Sequence, residues 1–162
     1  NATVFLLWNK GTDGVWYCIR EYYYSGRTEG KQKTDSEYAD DLESWLEGTK
    51  IKGIIVDPSA ASFIAELRKR GYKVVKAKNN VEDGIRVVGT KLNQETIIFA
   101  DSCVNTIQEF GSYIWDEAAA AHGEDRPVKE HDHAMDALRY FVYTILNNQT
   151  AIIRSKRKAG FH

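Results

Sequence analysis

Gly53-Ile54-Ile55-Val56-Asp57-Pro58-Ser59-Ala60 is the stretch on which the fold turns. Ile51 to Val56 is a short apolar run rich in β-branched residues, which reads as a buried strand. The Asp-Pro pair ends it, because proline has no amide to give a ladder and its fixed φ suits the first turn of a helix. Ser59 to Arg70 follows as a helix carrying Phe63, Ile64 and Leu67, closed by Gly71, and Tyr72 to Ala77 is the next strand. A strand, a helix and a strand in succession imply parallel strands, whose carboxyl ends are where ligands collect. Asp57 stands at such an end.

Working outward, Thr3 to Trp8 and Val15 to Tyr24 are rich in β-branched and aromatic residues. Asn9-Lys10-Gly11-Thr12-Asp13-Gly14 between them has hairpin chemistry. Ser25 to Lys33 is a polar loop. Thr34-Asp35-Ser36-Glu37 has the form of a capping box and predicts a helix to about Glu47, with Tyr38, Leu42, Trp45 and Leu46 on one face and Gly48 as its stop. Downstream, Val81 to Leu92 is helical in pattern, with Ile85, Val88 and Leu92 as its apolar stripe. Thr96 to Ala100 is a short strand, Ser102 to Ala121 a long helix, His122 to Glu130 a polar loop, and Asp132 to Leu146 a final amphipathic helix. An antiparallel hairpin followed by alternating strands and helices predicts an α/β fold, a mixed sheet with helices on both faces.

Composition narrows the function classes. A chain of 162 residues, 43% hydrophobic with four Trp and nine Tyr, has enough apolar surface for a folded core. Residues 1–146 read as one domain and 147–162 as a tail containing the basic run Arg154-Ser155-Lys156-Arg157-Lys158. A formal net charge of −1 gives no electrostatic announcement of a nucleic-acid binder. Cys18 and Cys103 have neither metal-ligand spacing nor partners for a disulfide framework, so a reducing compartment is expected. No run approaches the ~20 apolar residues needed to span a bilayer. No Gly-x-x-x-x-Gly-Lys loop is present, which excludes ATP hydrolysis by that route, and no Cys/His set favours zinc. The chain opens at Asn1 already inside a strand pattern, as a fragment of something longer would.

Two acids carry the chemistry that remains. Asp57 is either a helix N-cap before Pro58 or a strand-end carboxylate facing a ligand crevice, and Ser59 leaves both roles open. Asp136 is either a first-turn acid answering the helix dipole or a cation ligand, with Asp132 better placed as the N-cap. His133 lies three residues before Asp136 and shares its helix face, while Met135, Leu138, Val142 and Ile145 mark the core side. An imidazole and a carboxylate side by side suit a hard cation and a proton-handling or orienting group. The remaining candidates read structurally: Asp101 as an N-cap, with metal binding as its alternative, Asp13 as a turn residue, His122 and His131 as solvated, Ser59 without a nucleophile elbow. The aromatic run Trp16, Tyr17, Tyr22, Tyr23 and Tyr24 reads as sheet packing, against a base-stacking platform, and the basic tail as a solvated terminus, with phosphate or partner contact as the alternative.

Three segments in order suggest a family. Ile54-Ile55-Val56-Asp57-Pro58-Ser59-Ala60, then Cys103-Val104-Asn105-Thr106-Ile107-Gln108-Glu109-Phe110 with Ser112-Tyr113-Ile114-Trp115-Asp116, and finally Asp132-His133-Ala134-Met135-Asp136-Ala137-Leu138-Arg139-Tyr140 resemble the C-terminal nuclease domain of tailed-bacteriophage terminase large subunits. The resemblance implies an RNase H-like fold and a metal-dependent endonuclease cutting concatemeric double-stranded viral DNA during packaging, in the host cytoplasm. By the same resemblance Asp57 and Asp136 would hold Mg²⁺ or Mn²⁺, and His133 would be the accompanying histidine. It further implies an ATPase domain upstream in the same polypeptide, a small terminase subunit and a portal protein as partners. The family's first carboxylate sits on a central strand that would precede Asn1, so the domain reads as one strand short.

The mechanism so implied is two-metal phosphodiester hydrolysis, with two cations about 3.5–4 Å apart. Held by Asp57, Asp136 and the upstream acid, one would activate the attacking water and the other would steady the leaving 3′ oxygen, with no sequence readout expected because phosphate contacts carry none. Another RNase H-like nuclease, such as a junction resolvase or transposase core, would share the acids. A docking module of a packaging motor would keep the fold without the metal site.

Overall fold

The computed structural model describes residues 2–111 and 132–147. In chain order its elements are β1 (Ala2–Lys10), β2 (Trp16–Ser25), α1 (Gly26–Glu29), α2 (Asp35–Leu46), β3 (Ile54–Val56), α3 (Ala61–Lys69), β4 (Val74–Lys76), α4 (Val81–Asn93), β5 (Ile97–Phe99), a helix α5 described over residues 104–111, and α6 (His133–Phe141). A π-helical segment, Val142–Leu146, continues α6. The chain divides into two compact units, residues 1–32 with 91–138 and residues 33–90 with 139–162, the division falling after Leu138 within α6. No helix among the described residues is long and apolar enough to cross a membrane.

In the first unit β1 and β2 are antiparallel, and β5 runs parallel to β2 on its other side. This is the expected mixed sheet. The hairpin turn is locked locally: Asp13 accepts the Val15 amide at 2.9 Å and the Tyr17 hydroxyl at 2.6 Å, and Gly14 takes the positive φ of 82° that a side chain would resist. Leu7 pairs with Arg20 but Trp8 pairs with Cys18, so Ile19 is an extra residue, a β-bulge. Against the sheet, α5 brings Cys103 Sγ to 3.8 Å from Cys18 Sγ and Phe110 edge-on to Phe99 at 5.3 Å. Both cysteines are buried free thiols. Met135 and Leu138 of α6 are buried as their spacing predicts, and Ala134, outside that stripe, is buried too, while Ile145 of the stripe is only half-buried.

The second unit is built on β3–α3–β4, with β3 and β4 paired in parallel and α3 as the crossover. The capping box at α2 is present: Glu37 N donates to Thr34 Oγ1 at 3.2 Å and Thr34 N to Glu37 Oε2 at 2.8 Å. Tyr38, Leu42 and Leu46 of α2 are buried, as are Ile64 and Leu67 of α3. Arg70 joins the two helices, donating to Asp40 at 2.7 Å, Glu66 at 2.9 Å and the Ser36 carbonyl at 3.1 Å.

Several boundaries move. The strands over 51–56, 72–77 and 96–100 shorten to the three residues each that pair. The expected loop after Tyr24 holds the four-residue α1. The last helix changes to π geometry at Val142, where Thr144 Oγ1 accepts the Lys78 amide at 2.9 Å. The rest of the helix expected to Ala121, the loop 122–130 and the tail from residue 148 lie outside the described residues.

Candidate metal centre

Asp57 follows the last residue of β3, at the carboxyl end of the parallel pair, and is half-buried. It does not cap α3. That helix starts at Ala61 with Ala60 as the N-cap residue and no side-chain cap. Asp57 instead closes an Asx turn over Pro58: its Oδ1 accepts the Ser59 amide at 2.9 Å and its carbonyl the Ala60 amide at 3.0 Å. One carboxylate oxygen is thus committed to orienting the side chain. The N-cap alternative is removed, and Ser59 does not take that role either.

His133 and Asp136 fall in the first turn of α6, both half-buried. Asp132 occupies the position before it, and its carbonyl accepts the Asp136 amide at 2.8 Å, as an N-cap residue's does. The first-turn amides go elsewhere. Ala134 N and Met135 N donate at 2.8 and 3.1 Å to Oε2 of Glu109, a buried carboxylate on α5. Glu109 Oε1 accepts the Tyr23 hydroxyl from β2 at 3.2 Å. Burial pushes the Glu109 carboxyl above its ordinary value, against the pull of the two amides and the tyrosine. Burial first, then the neighbouring Glu109, pushes the Tyr23 hydroxyl up to about 12.

A second carboxylate does the same work for α5. Glu21 of β2 accepts the Asn105 amide at 3.0 Å, the Asn105 side-chain amide at 2.8 Å, the Thr106 amide at 2.7 Å and the Thr106 hydroxyl at 2.5 Å. The cap expected from Asp101 is therefore supplied by tertiary contact, and Asp101 is exposed in a turn. Neither Glu21 nor Glu109 is marked as a site residue by its surroundings in the chain. The available signal for Glu109 was an acid beside the Cys103–Thr106–Phe110 stripe of an amphipathic helix. Glu21 sits among strand aromatics and gave none.

Asp13 is the turn residue expected, and Tyr22 stacks on Phe5 at 4.6 Å, in keeping with sheet packing for the aromatic run. His122, His131 and the basic tail lie outside the described residues. Asp57 belongs to the second unit and His133 and Asp136 to the first. Among the described residues no three or more His, Cys, Asp or Glu side chains gather as a metal cage. The donors fit a hard divalent cation in kind, carboxylate oxygens with an imidazole beside one of them, and no complete set is present among the described residues of either unit.

The chain is similar to phage terminase large subunits over about nine-tenths of its length. The large terminase of a thermophilic bacteriophage, solved with ATP-γ-S, is 57% identical and superposes with a TM-score of 0.83, covering 90% of this chain and 37% of that one. A second structure of the same phage's large terminase gives 56% identity, a TM-score of 0.82 and the same two coverages. The terminase large subunit of Escherichia phage T5 is 28% identical over 148 residues, 89% of this chain and 32% of that protein. The chain thus spans about a third of the length of these relatives. No protein-family profile matches it.

Proposed function

We propose that this chain is the nuclease part of a phage terminase large subunit, a divalent-metal-dependent endonuclease that cuts concatemeric double-stranded viral DNA during genome packaging in the host cytoplasm. One observation carries the reading: the His133–Asp136 turn sits in a chain that is 57% identical to a large terminase across 90% of its length. In this reading Asp57 and Asp136 are carboxylate ligands for Mg²⁺ or Mn²⁺, and His133 orients a ligand or handles a proton. Such ions, when bound, supply an activated water and stabilise the leaving oxygen of the phosphodiester. Asp57 offers one carboxylate oxygen already fixed by the Ser59 amide, so its ligand geometry needs little ordering on binding. The proposed partners are double-stranded DNA, an ATPase domain upstream in the same polypeptide, a small terminase subunit and a portal protein.

The test is plasmid cleavage by the full-length protein with Mn²⁺. Asp57→Ala and Asp136→Ala should each lower the rate ~10²-fold or more, since several kcal/mol of transition-state stabilisation go with a metal ligand. Mn²⁺ should also raise the melting temperature of the native protein and not of either variant. Unchanged cleavage in both variants sinks the reading. Thermal indifference to Mn²⁺ points to a docking module instead.

A further inference from the structure

Glu109 is a buried carboxylate, 6% exposed, that the proposed reaction does not use. Burying an acid is costly unless its oxygens are satisfied, and here they are. Oε2 holds the Ala134 and Met135 amides and Oε1 the Tyr23 hydroxyl. Those two amides have no acceptor within α6, because the first turn of any helix leaves its donors open. A residue adjoining the helix ordinarily fills this role. Here the acid comes from 25 positions upstream of Ala134, on another helix. A local cap travels with its helix, whereas a distant one ties the helix to a fixed point.

The two amides lie between His133 and Asp136 in the chain, in the same turn. Rotating α6 about its axis, or sliding it by one residue, would break both bonds at once and leave the buried carboxylate with the Tyr23 hydroxyl alone among its present donors. Tyr23 fixes the carboxylate from the sheet side, so that Glu109 cannot swing to follow the helix. The negative charge at the helix start adds to the hold.

We propose that Glu109 is a positioning residue: braced by Tyr23, it sets the register and orientation in which α6 presents His133 and Asp136 to a divalent cation. This rests on reading that turn as metal-binding, and it adds a residue two helices share to the outer shell of the site. Partners of this kind orient the groups that touch the metal, and their loss weakens metal binding by roughly 10–100-fold.

The experiment uses the full-length protein and Mn²⁺ alone, read by electron paramagnetic resonance of the free ion, with amide hydrogen exchange across α6 measured before metal is added. Asp136→Asn defines the site. Glu109→Gln keeps an acceptor oxygen for the two amides and should bind Mn²⁺ nearly as wild type. Glu109→Leu should bind it roughly 10–100-fold more weakly, with faster exchange at the first turn of α6. Leu67→Ala, in the other unit, controls for stability alone: it should lower the melting temperature and leave Mn²⁺ affinity unchanged. Wild-type affinity in Glu109→Leu overturns the proposal, as does a loss in Glu109→Gln equal to that in Glu109→Leu, which would mean that charge and not position matters. Should wild type show no Asp136-dependent Mn²⁺ binding, the metal reading fails by itself. Exchange then decides positioning: faster exchange in Glu109→Leu rescued by Gln upholds it, and unchanged exchange refutes it. If Glu109→Leu does not fold, Tyr23→Phe, which removes only the bracing hydroxyl, takes its place on the same criterion.

Discussion

Replacing Glu21 with alanine should destabilise the first unit by about 2–4 kcal/mol, a figure set by which of its partners water can reach. Asn105 is half-exposed, so its amide and side chain can exchange the carboxylate for solvent at little cost. Thr106 is 0% exposed. Its amide and hydroxyl, both bonded to Glu21 Oε2, lose a charged acceptor and gain nothing. A buried donor left without a partner costs about 1–3 kcal/mol, and two such donors, one of them a hydroxyl free to rotate, give the stated range. A cap deletion alone would give ~1 kcal/mol, so the excess is the mark of burial.

Urea unfolding with an unchanged m-value measures the loss, which corresponds to about 2–4 °C of melting temperature per kcal/mol for a chain of this size. A double-mutant cycle with Thr106→Val isolates the buried pair. Removing donor and acceptor together should cost less than the sum of the single changes, with a coupling of ~1–2 kcal/mol. A loss below ~0.5 kcal/mol for Glu21→Ala, the size of an ordinary surface change, or strict additivity in the cycle, would refute the assignment.

Two further outcomes follow from close packing and from burial. A Cβ at Gly84 would lie 2.5 Å from Cγ and 2.7 Å from Cδ of the buried Arg139, whose guanidinium donates to the Asn79 carbonyl at 3.0 Å. Gly84→Ala should therefore cost a net ~1–2 kcal/mol by urea midpoint despite about 1 kcal/mol of gained helix propensity, whereas Gly89→Ala, with nothing within 4 Å, should stabilise. The raised Glu109 carboxyl makes the folded state bind more protons than the unfolded one between the ordinary value of 4.5 and its folded value. Stability relative to Glu109→Gln should thus be greatest below 4.5, fall as pH rises through that window and stay flat above it. A pH-independent difference between the two proteins contradicts this.

What was legible in the chain is what local pattern determines. The Ile54–Val56 run, Pro58 and Gly71 place β3, α3 and β4 because each marks a boundary with its own backbone chemistry. Thr34 and Glu37 announce α2 for the same reason. Asp57 misleads locally: Asp-Pro-Ser satisfies itself as an Asx turn, a competitor to the helix cap that uses the same oxygen. The starts of α5 and α6 are legible to within about two residues, and Asp132 stands at the N-cap position as its place in the chain predicts, but the distant carboxylates that take the first-turn amides are not legible. Glu21 reaches its amides across 84 positions and Glu109 across 25, and no window along the chain contains both partners.

The bulge at Ile19 lets one strand meet the α5 segment at three points. Cys18, Glu21 and Tyr23 of β2 all meet α5, through Cys103, Thr106 and Glu109. On the helix the spacing is regular, three residues each time, which is one face. On a regular strand Cys18 and Glu21, three apart, would point to opposite sides of the sheet. The extra residue at Ile19 resets the pleat, so that the thiol, the carboxylate and the phenol share a side, and Ile19 itself is left 38% exposed. Removing the extra residue would turn either Cys18 or the Glu21–Tyr23 pair away from α5. Glu21 and Tyr23, two apart beyond the bulge, share a side on any strand, so what the irregularity adds is the third contact, the packing of Cys18 on Cys103 beside them.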